Sequence, residues 1–155
     1  MEESGEFQML MGEYRHNIDE KKRLVIPSKF RSELGDKFIL TRGLDKCLFI
    51  YSEEEWDKIN DKLKGLPFTH KDARNFNRFF LSGATVCEID QAGRISITSP
   101  LVEYAGITKE CVIIGVGDRL EIWSKESWES FMSDNIENFS DIAENLFTSG
   151  DYNAL

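Results

Sequence analysis

The chain has 155 residues, of which 41% are hydrophobic and 30% charged, and it carries a formal net charge of −9 at pH 7. This composition is typical of a globular protein and argues against disorder over most of the chain. Because no run of about 18 apolar residues and no basic-then-apolar start is found, we expect neither a membrane-spanning helix nor a secretory signal, and predict a cytoplasmic protein.

The distribution of charge is uneven. Residues 12–31 carry six basic and three acidic side chains, whereas residues 117–155 carry two basic and nine acidic ones. Net acidity argues against DNA as a partner, since DNA affinity comes largely from Lys and Arg. A basic first part and an acidic end are nevertheless compatible with one face that meets an anionic polymer, and equally with an ordinary solvated surface.

Residues 1–8 resemble a leader and are left out of the fold prediction. The first unit, residues 9–64, begins with strands predicted at 14–18 and 23–26, joined by a charged turn at 19–22. Pro27 ends the second strand, Ser28 is expected to cap a short helix through residue 34, and Gly35 suits its C-terminal left-handed position. Strands follow at 38–40 and 47–51, and Ser52 opens a capping box before a helix.

Residues 65–82 have no counterpart elsewhere in the chain and are predicted to contain a linking helix over 69–81. Its basic side chains, Lys71, Arg74 and Arg78, recur every three to four residues. They form either a solvated face or a stripe that contacts phosphates.

The second unit, residues 83–147, repeats the first. Strands are predicted within 86–97, a short helix at 101–105 ended by Gly106, strands at 112–116 and 120–123, and a helix after Ser124 whose apolar stripe continues towards the C-terminus. Residues 148–155 are expected to fray.

The two units are copies of one another. Residues 13–26 align with 84–97 at an offset of 71, which becomes 72 after Gly106. Both copies contain the spacing Asp-x-x-x-Arg, as Asp19 with Arg23 and as Asp90 with Arg94. A twofold repeat of short strands predicts an α+β fold in which neither half closes a β-barrel alone, so that the copies share one interlocked barrel flanked by helices.

With these matched flanks, the chain resembles the MraZ family, bacterial regulators associated with the division and cell-wall gene cluster and built from two tandem SpoVT/AbrB-type units. The resemblance spans roughly residues 9–147 and includes 11–23, 40–45, 71–74, 80–84 and 90–94. It implies a swapped-hairpin β-barrel, a homo-oligomeric ring, and binding to short direct repeats in the promoter of the protein's own operon, hence a nucleoid-associated protein.

In that family the Arg of the motif is implicated in DNA contact, which corresponds here to Arg23 and, in the repeat, to Arg94. An Arg after a tight turn also suits bidentate contact with phosphate or guanine. The alternative is that each Asp–Arg pair is an internal salt bridge that holds its hairpin. Asp19, Asp90 and Gly93 are predicted to be structural turn residues. The predicted DNA-binding residues are Arg15, His16, Lys21, Lys22, Arg23, Lys29, Arg31 and Arg94.

The units differ in charge, so that we expect unit one to contact DNA and unit two mainly to assemble the ring. Lys22 stands where the family usually has Gly, which would strain a turn that requires a positive φ. In unit two, the segment 98–102 lacks the usual basic residue near Val102.

Other functions have weaker support. A protein-interaction module of the antidote (AbrB/MazE-like) type, with an acidic partner-binding tail after Glu126, is the alternative. An enzyme is not expected. Asp19 and Asp90 are related by the repeat and could form a paired-carboxylate site like that of aspartic proteases, but each has an Arg that keeps it ionised. The two His and three Cys are not spaced for a metal site, and no cofactor or small-molecule ligand is predicted.

Overall fold

The computed structural model describes residues 9–148. The predicted leader, residues 1–8, and all of the predicted frayed tail except its first residue lie outside this range. Within it, no helix is both long and apolar enough to cross a bilayer.

Eight strands follow one another in the described range, as the repeat predicts, together with six α-helices where five were predicted. The first unit and the link contain β1 (Leu10–Asn17), β2 (Arg23–Val25), α1 (Ser28–Leu34), β3 (Lys37–Arg42), β4 (Leu48–Ser52), α2 (Glu53–Lys64) and α3 (Lys71–Ser82). The second contains β5 (Thr85–Glu88), β6 (Arg94–Ser96), α4 (Ser99–Ala105), β7 (Glu110–Gly117), β8 (Leu120–Ser124), α5 (Lys125–Asn135), a 3-10 turn (Ile136–Asn138) and α6 (Phe139–Phe147).

The copies exchange strands. Six strands form an antiparallel sheet in the order β1-β7-β8-β4-β3-β5, and β2 pairs with β6 in a separate two-stranded ribbon. The first strand of each copy therefore pairs with the third strand of the other, as β1 with β7 and β5 with β3. This confirms the predicted α+β class and explains why neither half is complete alone.

One hydrophobic core lies between the six-stranded sheet, the ribbon and the short helices α1 and α4. Both copies contribute in pairs, such as Leu24 with Ile95 and Phe30 with Leu101, all at most 1% exposed. Burial of such side chains stabilises the fold by roughly 1.5–3 kcal/mol each. A polar group at the edge of this core is Glu121, 8% exposed, which accepts hydrogen bonds from Arg119 at 2.7 Å and from the Trp123 indole at 3.0 Å.

Three helix ends can be compared with the sequence prediction. The prediction that Ser28 caps α1 is wrong: Ser28 is already the first helical residue, and Pro27 occupies the cap position without a side-chain bond. Ser52 does cap α2, since its Oγ accepts from the Glu55 amide at 3.2 Å. Gly106 ends α4 in the left-handed region, as predicted, whereas Gly35 has a positive φ of 82° with an extended ψ of −176°.

The described chain divides into two compact units, one that ends at Ser124 and one that begins at Lys125. The second consists of α5, the 3-10 turn and α6. The helical stripe predicted after Ser124 is therefore interrupted at Ile136–Asn138.

Candidate nucleic-acid interface

The two Asp-x-x-x-Arg motifs form the same turn twice. In the first, Asp19 Oδ1 accepts from the backbone N–H groups of Lys21 at 2.9 Å and Arg23 at 2.8 Å, while its Oδ2 accepts from Arg23 Nε at 2.8 Å. In the second, Asp90 Oδ1 accepts from Ala92 and Arg94, both at 2.9 Å, and its Oδ2 from Arg94 Nε at 2.9 Å. Each Asp therefore fixes both the turn backbone and the direction of its Arg.

The electrostatics of the two turns match. The pKa of Asp19 and the pKa of Asp90 are both lowered, chiefly because the backbone N–H of the motif Arg donates to the carboxylate. Partial desolvation raises the two pKa values, and the hydrogen bond from the guanidinium lowers them further. Both carboxylates thus remain ionised and keep the Arg charge in place.

The two motif arginines lie on one face of the ribbon. In its antiparallel register Arg23 is opposite Ser96, Leu24 opposite Ile95, and Val25 opposite Arg94. Because successive side chains of a strand alternate between faces, Leu24 and Ile95 point into the core while Arg23 and Arg94 share the outer face. The second guanidinium also approaches the first turn, with Arg94 Nη1 3.9 Å from Asp19 Oδ2. We call this outer face, with the turns at 19–22 and 90–93, the ribbon face.

The carboxylates orient the motif arginines but do not occupy all of their hydrogen-bond donors. Their side chains are 29% and 31% exposed. Arg23 is bonded through Nε alone, so that among the described residues its two Nη groups have no hydrogen-bond partner. A partly exposed guanidinium that is held at one edge is suited to contact a phosphate or the edge of a guanine. The sequence alternatives, a hairpin salt bridge and a DNA contact, are therefore compatible in one side chain.

The last residue of the turn is Lys22 in the first copy and Gly93 in the second. Lys22 has φ of 61° and Gly93 has φ of 80°, so both copies use the left-handed conformation. The predicted strain falls on Lys22, because its Cβ makes this conformation costly. The copies are also cross-linked, since Ile26 N–H donates to the Gly93 carbonyl at 2.9 Å and Ile97 N–H donates to the Lys22 carbonyl at 2.8 Å.

Arg31 packs against the second turn. Its Nε donates to the Ile26 carbonyl at 2.8 Å, and its Nη2 would lie 2.1 Å from a Cβ placed on Gly93. The equivalent of Arg31 in unit two is Val102, a shorter and uncharged side chain. Arg31, predicted as a DNA contact, thus packs against the second turn from α1.

The remaining predicted contacts lie at different places. Lys21 and Lys22 are exposed in the first turn. Arg15 and His16 lie on β1 in the large sheet, where Arg15 forms ion pairs with Glu13 at 3.1 Å and Glu110 at 3.5 Å. Lys29, on α1, lies 5.8 Å from the ring centre of Tyr14.

The predicted phosphate stripe lies on α3, outside the ribbon. Arg74 Nη1 donates to the carbonyls of Phe68 and Thr69 and so fastens the loop before the helix, and Arg78 donates to Asn75 Oδ1. Lys71 is exposed. Lys71 and Arg78 are therefore compatible with the predicted solvated face, whereas Arg74 forms a structural contact with the loop before the helix.

One neighbour of the ribbon face was not predicted from the sequence. Lys109 lies beside the first turn, because its carbonyl accepts from the Ile18 N–H at 2.8 Å. It comes from the other copy, and only the register of β1 with β7 brings it there.

Within the described range, no group of three or more His, Cys, Asp or Glu is placed to hold a metal ion. The three cysteines are free and buried. Burial raises the pKa of Cys87 to about 11 and, with a smaller contribution from Glu110, the pKa of Cys111 to about 12; it also raises the pKa of Cys47. These thiols are therefore protonated core side chains at neutral pH.

Comparisons with known proteins agree with the repeat. A family model described as "MraZ protein, putative antitoxin-like" matches twice, over residues 9–79 and 80–150. A "Transcriptional regulator MraZ" of Caldanaerobacter subterraneus subsp. tengcongensis is 58% identical over 138 residues, 89% of this chain and 96% of that protein. A protein of the same name from Ligilactobacillus salivarius is 56% identical over 138 residues, with the same coverage. Relatives with these names are regulators, in agreement with the expectation that the chain is not an enzyme.

Proposed function

The chain belongs to the MraZ family, and we propose that it is a transcriptional regulator that binds short direct repeats in the promoter of its own division and cell-wall operon as a homo-oligomeric ring. The observation that carries the DNA contact is the ribbon face, on which Asp19 and Asp90 hold Arg23 and Arg94 side by side with their Nε groups occupied. Such a protein acts in the cytoplasm, at the nucleoid.

The two copies contribute unequally to this contact. The first turn adds Lys21 and Lys22 to its Arg, whereas the second has Ala92 and Gly93 at the corresponding positions. Unit one therefore provides most of the phosphate neutralisation, and Arg94 provides a second, geometrically equivalent donor. Arg31 supports the pair by packing against the second turn.

A single ribbon face is too small for strong, specific binding, since it offers few cations beside the three carboxylates of Asp19, Glu20 and Asp90. Multivalency removes this difficulty. When neighbouring subunits of one ring contact successive repeats, each further contact is intramolecular, and avidity rises by orders of magnitude without any new contact. The spacing of the repeats must then match the spacing of the subunits.

The proposal is tested by fluorescence anisotropy with duplexes from upstream of the protein's own gene cluster that contain one, two, three or four repeats. We expect affinity to rise at least tenfold from one repeat to several, and to fall to the level of scrambled DNA in the Arg23→Ala variant. The matched control is Lys58→Ala, which removes an exposed cation of α2 that pairs with Glu55 at 3.4 Å. Equal affinity for repeated and scrambled duplexes at low salt would refute the proposal.

A further inference from the structure

A cavity with aromatic walls lies between α3, α4 and the end of β3. It has a volume of about 400 Å³, and its lining includes Arg42, Leu44, Phe76, Phe79, Phe80 and Tyr104. Small-molecule sites are concave and mostly apolar, have volumes in this range, and contain a few well-placed polar groups. The lining comes from three separate segments of the chain, so no local pattern predicts this aromatic cavity, and the sequence predicted no small-molecule ligand.

A stack of aromatic rings ends at the cavity. The rings of Trp56 and Phe76 each lie nearly parallel to the ring of Phe80, at 5.6 and 5.2 Å between centres. Phe80 is buried, whereas Phe76 is 37% exposed. Among the described residues, Phe80 is the one ring neighbour of Phe76. A planar ring bound beside Phe76 would extend the stack, and such pairs are favourable beyond the burial of area alone.

Arg42 supplies a positive charge at the wall of the cavity. Its Nη1 donates to the Phe79 carbonyl at 2.9 Å and to Ser82 Oγ at 3.2 Å, and its guanidinium carbon lies 5.8 Å from the Tyr104 ring centre. A Cβ on Gly83 would lie 2.8 Å from the same Nη1, so glycine leaves room for the guanidinium. Within the described range, the Nε and Nη2 groups of Arg42 have no hydrogen-bond partner.

Hydrogen bonds fix the walls of the cavity to one another. The Thr41 hydroxyl donates to the Phe80 carbonyl and ties α3 to β3. The Tyr104 hydroxyl donates to the Gly43 carbonyl at 2.7 Å and ties α4 to the end of the same strand. The cavity is therefore preformed, and a ligand that enters it need not order these elements first.

We propose that the aromatic cavity binds a small planar aromatic molecule that carries one carboxylate group. The ring of this molecule packs against Phe76 and Phe79, and its carboxylate accepts from the unoccupied donors of Arg42. The acidic residue of the neighbouring hairpin, Asp45, is not among the lining residues, so the guanidinium sets the charge of the cavity. Both parts of the ligand are therefore required, the planar ring for stacking and the negative charge for the guanidinium.

The ligand class is tested by isothermal titration calorimetry of the full chain, with naphthoate as the probe. The matched controls are the neutral amide of naphthoate, which lacks the charge, and cyclohexanecarboxylate, which lacks the planar ring. We expect naphthoate to bind saturably, with one molecule per chain, and each control to bind about tenfold more weakly. Equal affinity for naphthoate and either control, or no saturable binding of naphthoate, would overturn the proposal.

Variants test the location of the site. Phe76→Leu and Phe79→Leu keep an apolar side chain but remove a ring, and each should weaken naphthoate binding by about tenfold. The matched control is Phe68→Leu, because Phe68 is 80% exposed but does not line the cavity. It should bind naphthoate as wild type does, and circular dichroism checks that each variant is folded. Unchanged binding in both cavity variants would place the probe elsewhere and overturn the proposal.

A second copy of the chain is the competing occupant of the cavity. Saturating naphthoate should leave the mass of the wild-type protein unchanged in light scattering. A fall in mass would show that naphthoate displaces a neighbouring copy, and would overturn the proposal. The lining contains no residue of the ribbon face, so either result leaves the proposed DNA contact intact.

Discussion

Replacing Gly93 by Ala tests how the second turn is held. The change acts in two ways: an L-residue must adopt φ of 80°, and the new Cβ would lie 2.1 Å from Arg31 Nη2. The left-handed conformation costs about 1–2 kcal/mol. Moving the guanidinium loses its 2.8 Å bond to the Ile26 carbonyl, worth about 1–2 kcal/mol at a half-buried site. We therefore expect Gly93→Ala to lower the free energy of unfolding by about 2–4 kcal/mol.

Two further variants separate these contributions. Gly106 also has a positive φ, 65°, but a Cβ there would meet nothing within 4 Å, so Gly106→Ala should cost only the conformational part, about 1–2 kcal/mol. In an Arg31→Ala background, Gly93→Ala should fall to the same value, because the obstructing side chain is gone.

The assay is urea unfolding at one fixed protein concentration, since an oligomer's stability depends on concentration. If Gly93→Ala costs the same with and without Arg31, to within about 0.5 kcal/mol, the reasoning about this contact is refuted.

Three other predictions concern the same chain. Lys22→Gly should raise the free energy of unfolding by up to about 1 kcal/mol in urea titrations, because it relieves a Lys held in the left-handed conformation; a loss of stability would contradict the strain. The pKa values of Asp19 and Asp90 are lowered in the folded state, so the unfolded chain binds more protons than the folded chain as pH falls towards and below about 3.8. The contribution of these two carboxylates to the free energy of unfolding is therefore complete above that pH and is lost below it. Between pH 6 and pH 2, the free energy of unfolding should therefore fall less steeply for the variant with both Asp→Asn than for wild type. Equal slopes in the two proteins would contradict the account. Glu121→Ala should cost about 1–3 kcal/mol in thermal or urea unfolding, since it removes the buried carboxylate that accepts from Arg119 and from the Trp123 indole, whereas Glu88→Ala, at an exposed pair with Lys37, should cost below about 0.5 kcal/mol.

Local features of this chain could be predicted from its sequence. The repeat predicted the order of the strands along the chain and the α+β class. The spacing of Asp19 and Arg23 predicted the turn and its Asp–Arg bond. These predictions succeed because turns and short helices depend on neighbours within about five residues. The error at Ser28 belongs to the same scale, where a shift of one residue changes which side chain caps the helix.

Contacts between the copies could not be predicted in the same way. That Arg23 and Arg94 share a face depends on the β2–β6 register, and that Lys109 lies beside the first turn depends on β1 pairing with β7. These pairs are about 70 to 90 residues apart along the chain, and no local pattern specifies their register. The Lys at position 22 was visible in the sequence, but the position of Arg31 beside Gly93 was not.

The central claim is that the two motif arginines form one DNA-binding face. The most direct measurement is the salt dependence of binding to the repeat-containing duplex for wild type, Arg23→Ala, Arg94→Ala, the double variant and the Lys58→Ala control. For each arginine that neutralises a phosphate, the slope of log K against log salt should become shallower by about 0.9 per bound subunit. We predict a loss in each single variant, a larger loss in the double variant, and none in the control. Wild-type slopes and affinities in both single variants would contradict the claim, because DNA would then be bound elsewhere on the chain.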